Sequence, residues 1–362
     1  MQLGFYVLRR IIAMIPTLFG LTLLMFLLER TIPPSILASQ YVNPDSTVPI
    51  QQQLHNAYIE LGLNRPAPVQ FFYYLINLLH GNLGYMNSSY YSGSVLGAIE
   101  TYFPNTAQLV IFSMALTLLI SFPLGTYIGA RPGSISDHAS RIFAITGYAI
   151  PTFWLGLMLQ LLFGRGVMNL PVSVFPLDGI VSSSALPNPL PSWLINPVTG
   201  ALYSSPTHMI LFDALLHGDF SLAFNAFMHL VLPVITLTYA LLAGLLRFIR
   251  SGMVDTSRKE FVRTARAKGV PERLVVTRHI RRNALIPAVT VVGLLLADLL
   301  GGVVVTETVF EYPGMGLLSV NAAISDEIYG VVGTTLVFGL IMVIVNLIVD
   351  VVYAYLDPRI RY

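Results

Sequence analysis

Six apolar runs, near residues 9–28, 104–130, 140–163, 226–249, 284–305 and 331–356, are each long enough to cross about 30 Å of hydrocarbon. In lipid every backbone N–H and C=O must be satisfied inside the segment, so runs of this kind fold as helices. Composition agrees: with 55% hydrophobic and 10% charged residues, the chain has too little polar surface to cover a soluble protein of its size. The expected fold is an all-α membrane protein with six transmembrane helices. Two stretches interrupt the pattern. Residues 29–103 carry Pro, Asn, Gln and Tyr, with a helical piece near 67–80, and residues 164–225 are rich in Pro, Ser and Asn. Both are too polar to span and are expected to lie on one side of the membrane. Arg9 and Arg10 precede the first run as in a secretory signal, but Glu29 and Arg30 follow it in place of a small-residue cleavage site, which predicts a retained helix.

Orientation follows from the basic residues. The N-terminus, the loop around 131–139, the segment 247–283 and the C-terminal tail hold 17 of the 20 Lys and Arg residues, leaving Arg30, Arg65 and Arg165 for the other side. The positive-inside rule then predicts cytoplasmic termini and two external polar stretches. Glu307, Glu311, Asp326 and Glu327 fall in the last external connection.

The chain has no cysteine and seven scattered histidines, and it carries no phosphate-binding loop, H-E-x-x-H pair or nucleophile elbow. No enzymatic activity, metal or nucleic-acid partner is expected. A conduit, a receptor or a scaffold remains. The segment KEFVRTARAKGVPERLVVTRHIRRNALIP, residues 259–287, gathers eight basic residues between two apolar runs. Strong helix formers broken at Gly269 and Pro271 predict two short helices. In the first, Phe261, Val262, Ala265 and the stem of Lys268 form an apolar stripe opposite Arg263, Arg266 and the charge of Lys259. Such a helix either enters a groove on a partner or rests on anionic lipid, and composition leaves both open.

"EFVRTARAKGV" followed by "RHIRRNALIPAVT" resembles the cytoplasmic coupling segment of ABC importer permeases of the dipeptide/oligopeptide/nickel family. Ala265 and Gly269 match the broader importer pattern, while Arg263 and Thr264 stand where its leading Glu-Ala would be. The resemblance continues through "LRRIIAMIPTLFG" (8–20), "LGLNRPAPVQ" (61–70), "GNLGYM" (81–86), "PNTAQL" (104–109), "IPTFWLG" (150–156), "LPVITL" with Arg247 and Arg250, "ETVFEYPGMGLL" (307–318) and the closing "DPRIRY". Two departures stand out: "TIPPSILAS" (31–39) replaces a P-G-D-P turn, and the external stretch 164–225 is long.

The resemblance implies an N-terminal span (1–28), an external segment (29–103) and a core permease domain (104–362) with a coupling segment at about 250–283. It implies a homologous second permease, two ABC ATPase subunits that bind the ATP and Mg, an external substrate-binding protein and surrounding lipid. Glu260, Arg263, Thr264, Ala265, Arg266, Lys268 and Gly269 would couple to an ATPase. Glu307, Phe310, Pro313, Gly314 and Gly316 would belong to an external gate loop, although turn chemistry alone reads that stretch as a plain connection. Glu307 and Glu311 would meet a peptide amine or water, with Glu311 read as solvated. Asp298, inside an apolar run, is expected to line the pathway or to hydrogen-bond another span; Asp350 is expected at a packing contact or an interface. Short peptides or oligosaccharides are the substrates implied, and nickel is disfavoured without a ligand cluster. A passive channel would need no coupling helix, and a lipid-binding scaffold would not need "ETVFEYPGMGLL".

Overall fold

The computed structural model describes residues 3–42, 46–163, 175–195, 202 and 205–356. The "DPRIRY" tail, Arg165 and the start of the second polar stretch lie outside the described residues. Among the described residues, five helices are long and apolar enough to cross a membrane, or six if one bent pair counts as a single span. They are α1 (Leu3–Glu29), α5 (Val95–Gly129), α9 (Phe220–Ser257), the helix that runs through Glu272–Val309, and α14 (Ile328–Leu356); the bent pair is α6 (Ile135–Ala149) with α7 (Thr152–Phe163). Ile11, Ile15, Leu119, Ile145 and Ile348 point outward and are exposed, as side chains facing lipid must be.

The expected third span is not one rod. Its two halves meet at 105°, because Ile150 precedes Pro151 and is forced out of the helical region to φ −89°, ψ 117°. Differences elsewhere have equally local causes. Helix α5 begins at Val95, ahead of the apolar run, because the Ser94 hydroxyl accepts a hydrogen bond from the Gly97 N–H at 3.1 Å and starts the helix there. Of the two short helices expected in 259–283, only α10 (Glu260–Ala267) stands alone. Pro271 sets the start of α11 (Glu272–Leu274), which continues through a π-helical turn (Val275–Ile280) into α12 (Arg281–Val309).

Helix α9 is the centre of the bundle. At 38 residues it is about 57 Å long, more than hydrocarbon thickness alone requires, and its Leu and Ala side chains are buried on most faces. Small residues let neighbours come close: a Cβ on Gly125 of α5 would sit 2.7 Å from Ile249, and one on Gly147 of α6 would overlap Ala243. Near the basic end of α9, Arg250 forms a two-pronged ion pair with Asp137 of α6, which is fully buried and also pairs with Arg141 at 2.8 Å. Arg10 of α1 and Asp350 of α14 pair at 2.8 Å, so the expected packing role of Asp350 is a tie between the first and last long helices.

The opposite end is built from the polar stretch. Helices α2 (Pro34–Gln40), α3 (Ile50–Glu60) and α4 (Ala67–Leu79) and a hairpin of β1 (Tyr85–Asn87) with β2 (Ser92–Ser94) cover it. Leu37, Ala57, Met86 and Val95 share a core there with Tyr329 of α14 and with Met315 and Leu318 of α13 (Met315–Ile324). Phe26 of α1 packs edge-on against Phe71 of α4, with ring centroids 5.2 Å apart. From the second polar stretch comes α8 (Ile210–Leu216), which lies against α9.

Gly147→Leu should therefore force α6 off α9 and cost about 1–3 kcal/mol, seen as a lower thermal-unfolding midpoint of the purified protein. Gly20→Leu, at a position with nothing within 4 Å, should leave the midpoint unchanged or raise it.

Candidate functional site

The structure places the predicted coupling and gate residues at opposite ends of α12, with Asp298 between them. At the basic end, α10 lies across the junction of α9 and α12. Val262 and Ala265 are buried in one cluster with Ile249, Met253, Val275 and Ala284, whereas Phe261, expected in the same stripe, is 41% exposed. The apolar face is thus narrower than the sequence pattern, and Phe261 projects away from the chain. Glu260, Arg263, Thr264, Arg266 and Lys268 are exposed. Two ion pairs order the basic side chains: Arg263 to Glu260 at 2.8 Å, and a fork from Arg266 to Glu272 at 2.7 and 3.0 Å.

Gly269 ends the helix. Its φ is +75°, the Gly269 N–H donates to Arg266 C=O at 2.9 Å, and the Val270 N–H donates to Ala265 C=O at 3.2 Å. That is a Schellman cap, which favours glycine because its left-handed backbone crowds a Cβ. Nothing lies within 4 Å of where a Gly269 Cβ would be. The need for glycine within this chain is therefore conformational, and the surface above it is open.

At the other end, Glu307 corrects an expectation. It meets neither a peptide amine nor water: it belongs to the last turn of α12 and is fully buried. Its Oε1 accepts from the Thr106 hydroxyl at 2.6 Å, and its Oε2 accepts from the N–H groups of Gly316 and Leu317 at 2.6 and 3.1 Å. Thr106 in turn accepts the Met315 N–H at 2.8 Å. The first three N–H groups of α13, which no helix can satisfy internally, are all used. A carboxylate at this positive helix end is favoured by the dipole as well as by its hydrogen bonds. The cap demands small neighbours: a Cβ on Gly314 would overlap the carboxylate, and one on Gly316 would lie 2.5 Å from Val304 Cα.

The rest of the motif is anchored around this cap. Phe310 is 1% exposed and Tyr312 is 2% exposed. Pro313 C=O accepts from the Asn105 side-chain amide at 2.9 Å, and Phe310 C=O accepts from the Gly179 N–H at 3.0 Å. Between these anchors Glu311 is exposed and adopts φ +46°.

Asp298 is exposed on α12 and makes no hydrogen bond or ion pair among the described residues. The packing alternative therefore has no partner within the described chain. Sequence reasoning missed Asp137, Asn105 and Thr106 as structural partners. Ser134 with Asp137 is a capping pattern, S-x-x-D, and the Ser134 hydroxyl does accept the Asp137 N–H. Nothing local points Asn105 and Thr106 toward residues some 200 positions away.

The fold defines a polytopic membrane protein, and among the described residues no group of three His, Asp or Glu side chains could hold a metal ion. The family of binding-protein-dependent transport system inner membrane components matches residues 121–362, and the chain belongs to it. The probable D,D-dipeptide transport system permease protein DdpB of Escherichia coli strain K12 is 37% identical over 94% of this chain and 93% of its own length. The oligopeptide transport system permease protein AppB of Bacillus subtilis strain 168 is 32% identical over 99% of both chains. The dipeptide transport system permease protein DppB of E. coli strain K12 is 32% identical over 99% of this chain and 98% of its own.

Glu307→Gln would turn one acceptor oxygen into an N–H donor facing other donors, at a cost of about 2–3 kcal/mol. The expected result is a lower thermal-unfolding midpoint, with proteolysis of the purified protein beginning at the 310–316 loop; Glu311→Gln should change neither.

Proposed function

We propose that this chain is one of two homologous permease subunits of an ATP-driven importer for short peptides, which an external binding protein delivers. The substrate class follows the relatives, which are dipeptide and oligopeptide permeases. The mechanism rests on a single observation: α10 presents an exposed polar face while Val262 and Ala265 of its other face are buried in the cluster built by α9, the π-helical turn and α12. The distribution of Lys and Arg, 17 against three, supports a cytoplasmic α10 and cytoplasmic termini. ATP and Mg then belong to two ABC ATPase subunits docked on that side, and this chain hydrolyses nothing itself.

Glu260, Arg263, Thr264, Arg266, Lys268 and Gly269 supply the docking face, whereas Ala265, buried in the cluster beneath, holds that face in place instead of joining it. The open space above Gly269 admits close approach of an ATPase groove, and Lys268 with the two Arg–Glu pairs offers charge to its rim. Closure of the ATPases would move α10, and its buried residues would pass the displacement to α9 and α12 as a rigid-body shift. Asp298 is proposed to face the pathway, where water or the second permease satisfies its charge. The loop with Phe310, Pro313, Gly314 and Gly316, held by Glu307, is proposed to form the outer gate.

In proteoliposomes containing both permeases, the ATPases and the binding protein, Gly269→Trp should preserve assembly and basal ATP hydrolysis but abolish dipeptide uptake. Gly269→Asn, which tolerates a left-handed backbone, should retain most uptake; normal uptake by the Trp variant would overturn the coupling assignment. Oligosaccharide uptake in place of peptide uptake by the unsubstituted complex would select the other substrate class. Asp298→Leu should lower the uptake rate without lowering the unfolding midpoint, and an unchanged rate would remove Asp298 from the pathway.

A further inference from the structure

Above the Glu307-capped loop lies an open cavity of about 730 Å³, within the range that holds small ligands. Three separate parts of the chain build it: Tyr90 beside the hairpin and Tyr102 of α5, Val181 of the second polar stretch, and Asn321 of α13, with Pro313 and Glu311 from the loop between α12 and α13. Its wall is largely apolar or aromatic, and the rings of Tyr90 and Tyr102 stack with centroids 5.5 Å apart. Glu311 is the only carboxylate among the described lining residues, which include no Lys or Arg.

The two acids of the motif divide sharply. Both oxygens of Glu307 are consumed inside the protein. The Glu311 side chain takes part in no hydrogen bond or ion pair among the described residues. Its left-handed backbone is unusual for a residue with a side chain, and such conformations persist where the surroundings impose them. Here the residues on either side, Phe310 and Tyr312, are both buried. With both neighbours turned inward, the one residue between them is presented to the cavity.

We infer that this cavity is a recognition site for the free α-ammonium group of a peptide, with Glu311 as its counter-charge. The inference rests on the peptide-importer reading above and adds to it a chemical requirement. The ammonium group meets one carboxylate and, on the Tyr90–Tyr102 side, aromatic faces that also favour a cation, while the apolar wall accommodates side chains of varied shape. A neutral sugar would leave the carboxylate without a charged partner.

The test uses the assembled importer, both permeases with the ATPases, in nanodiscs without the external binding protein, so that only the membrane complex selects. Alanyl-photoleucine and its N-acetyl form are photo-crosslinked over a concentration series, and the labelled residues are mapped by mass spectrometry. The expected result is labelling at Tyr90, Tyr102 or Val181 with half-saturation about tenfold lower for the free amine. Glu311→Gln should bring the two probes to equal half-saturation. Glu311→Asn, which suits the left-handed backbone but lacks the charge, should do the same, and co-elution of all subunits in both variants reports that the complex is intact. Equal labelling by the two probes in the unsubstituted complex, a tenfold preference retained in both variants, or labels confined to other surfaces would each overturn the inference. Uptake of dipeptides by the complete system is measured in parallel: its absence overturns the peptide reading itself, whereas its presence with any of those three results overturns the ammonium site alone.

Discussion

The buried carboxylate of Glu307 is the constraint on which one whole end of the molecule depends. A charge removed from water is tolerated only when donors replace the lost hydration, and here the donors come from Thr106 of α5 and from the first turn of α13. One side chain of α12 thereby fixes three helices at a single point. The loop between α12 and α13 inherits its shape from that fixture: Gly314 and Gly316 are the residues that let the carboxylate approach, and Asn105 holds the turn at Pro313 from the α5 side. Loss of the donors would strand the charge, so the α5–α12–α13 junction forms as a unit.

The other end of α12 is organised by packing of small side chains. A Cβ on Gly252 would lie 2.9 Å from Ala284 C=O, so α9 and the start of α12 cross almost backbone to backbone. Their shared cluster receives Val262 and Ala265 from α10. Close-packed interfaces of this kind transmit displacement because they cannot compress. The π-helical turn at Val275–Ile280 sits between α11 and α12, where an extra residue per turn rotates the helix so that Val275 and Ile280 both reach the cluster. The cluster that receives α10 and the Glu307 junction thus lie at the two ends of one helix, α11 continued through the π-helical turn into α12.

Much of this was legible in the sequence because membrane helices announce themselves through length and apolarity, and those do not depend on distant residues. The helical piece expected at 67–80 is α4, and the break at Gly269 is a Schellman cap. Pro151 interrupts the third span, whose halves meet at 105°, with α7 packed against α9 and α12. The second short helix was misread because Pro271 is as compatible with a helix start as with a break. Glu307 was unreadable for a different reason: its partner Thr106 is 201 positions away, and "PNTAQL" looked only like the start of a span. Phe261 fitted the helical stripe yet lies outside the cluster, since periodicity counts faces and cannot say how wide the covering surface is.

The motif "ETVFEYPGMGLL" shows how four residues of separation can produce opposite chemistry. On a continuous helix Glu307 and Glu311 would share a face and would repel or be solvated together. The helix stops at Val309, however, and the chain turns through a left-handed residue at Glu311. One acid therefore remains on α12, where α5 and α13 enclose it, while the next is exposed between two buried aromatic residues. The termination of α12 is what separates an acid that holds the structure from an acid free to meet a ligand, and Phe310 and Tyr312, by staying buried, keep them apart.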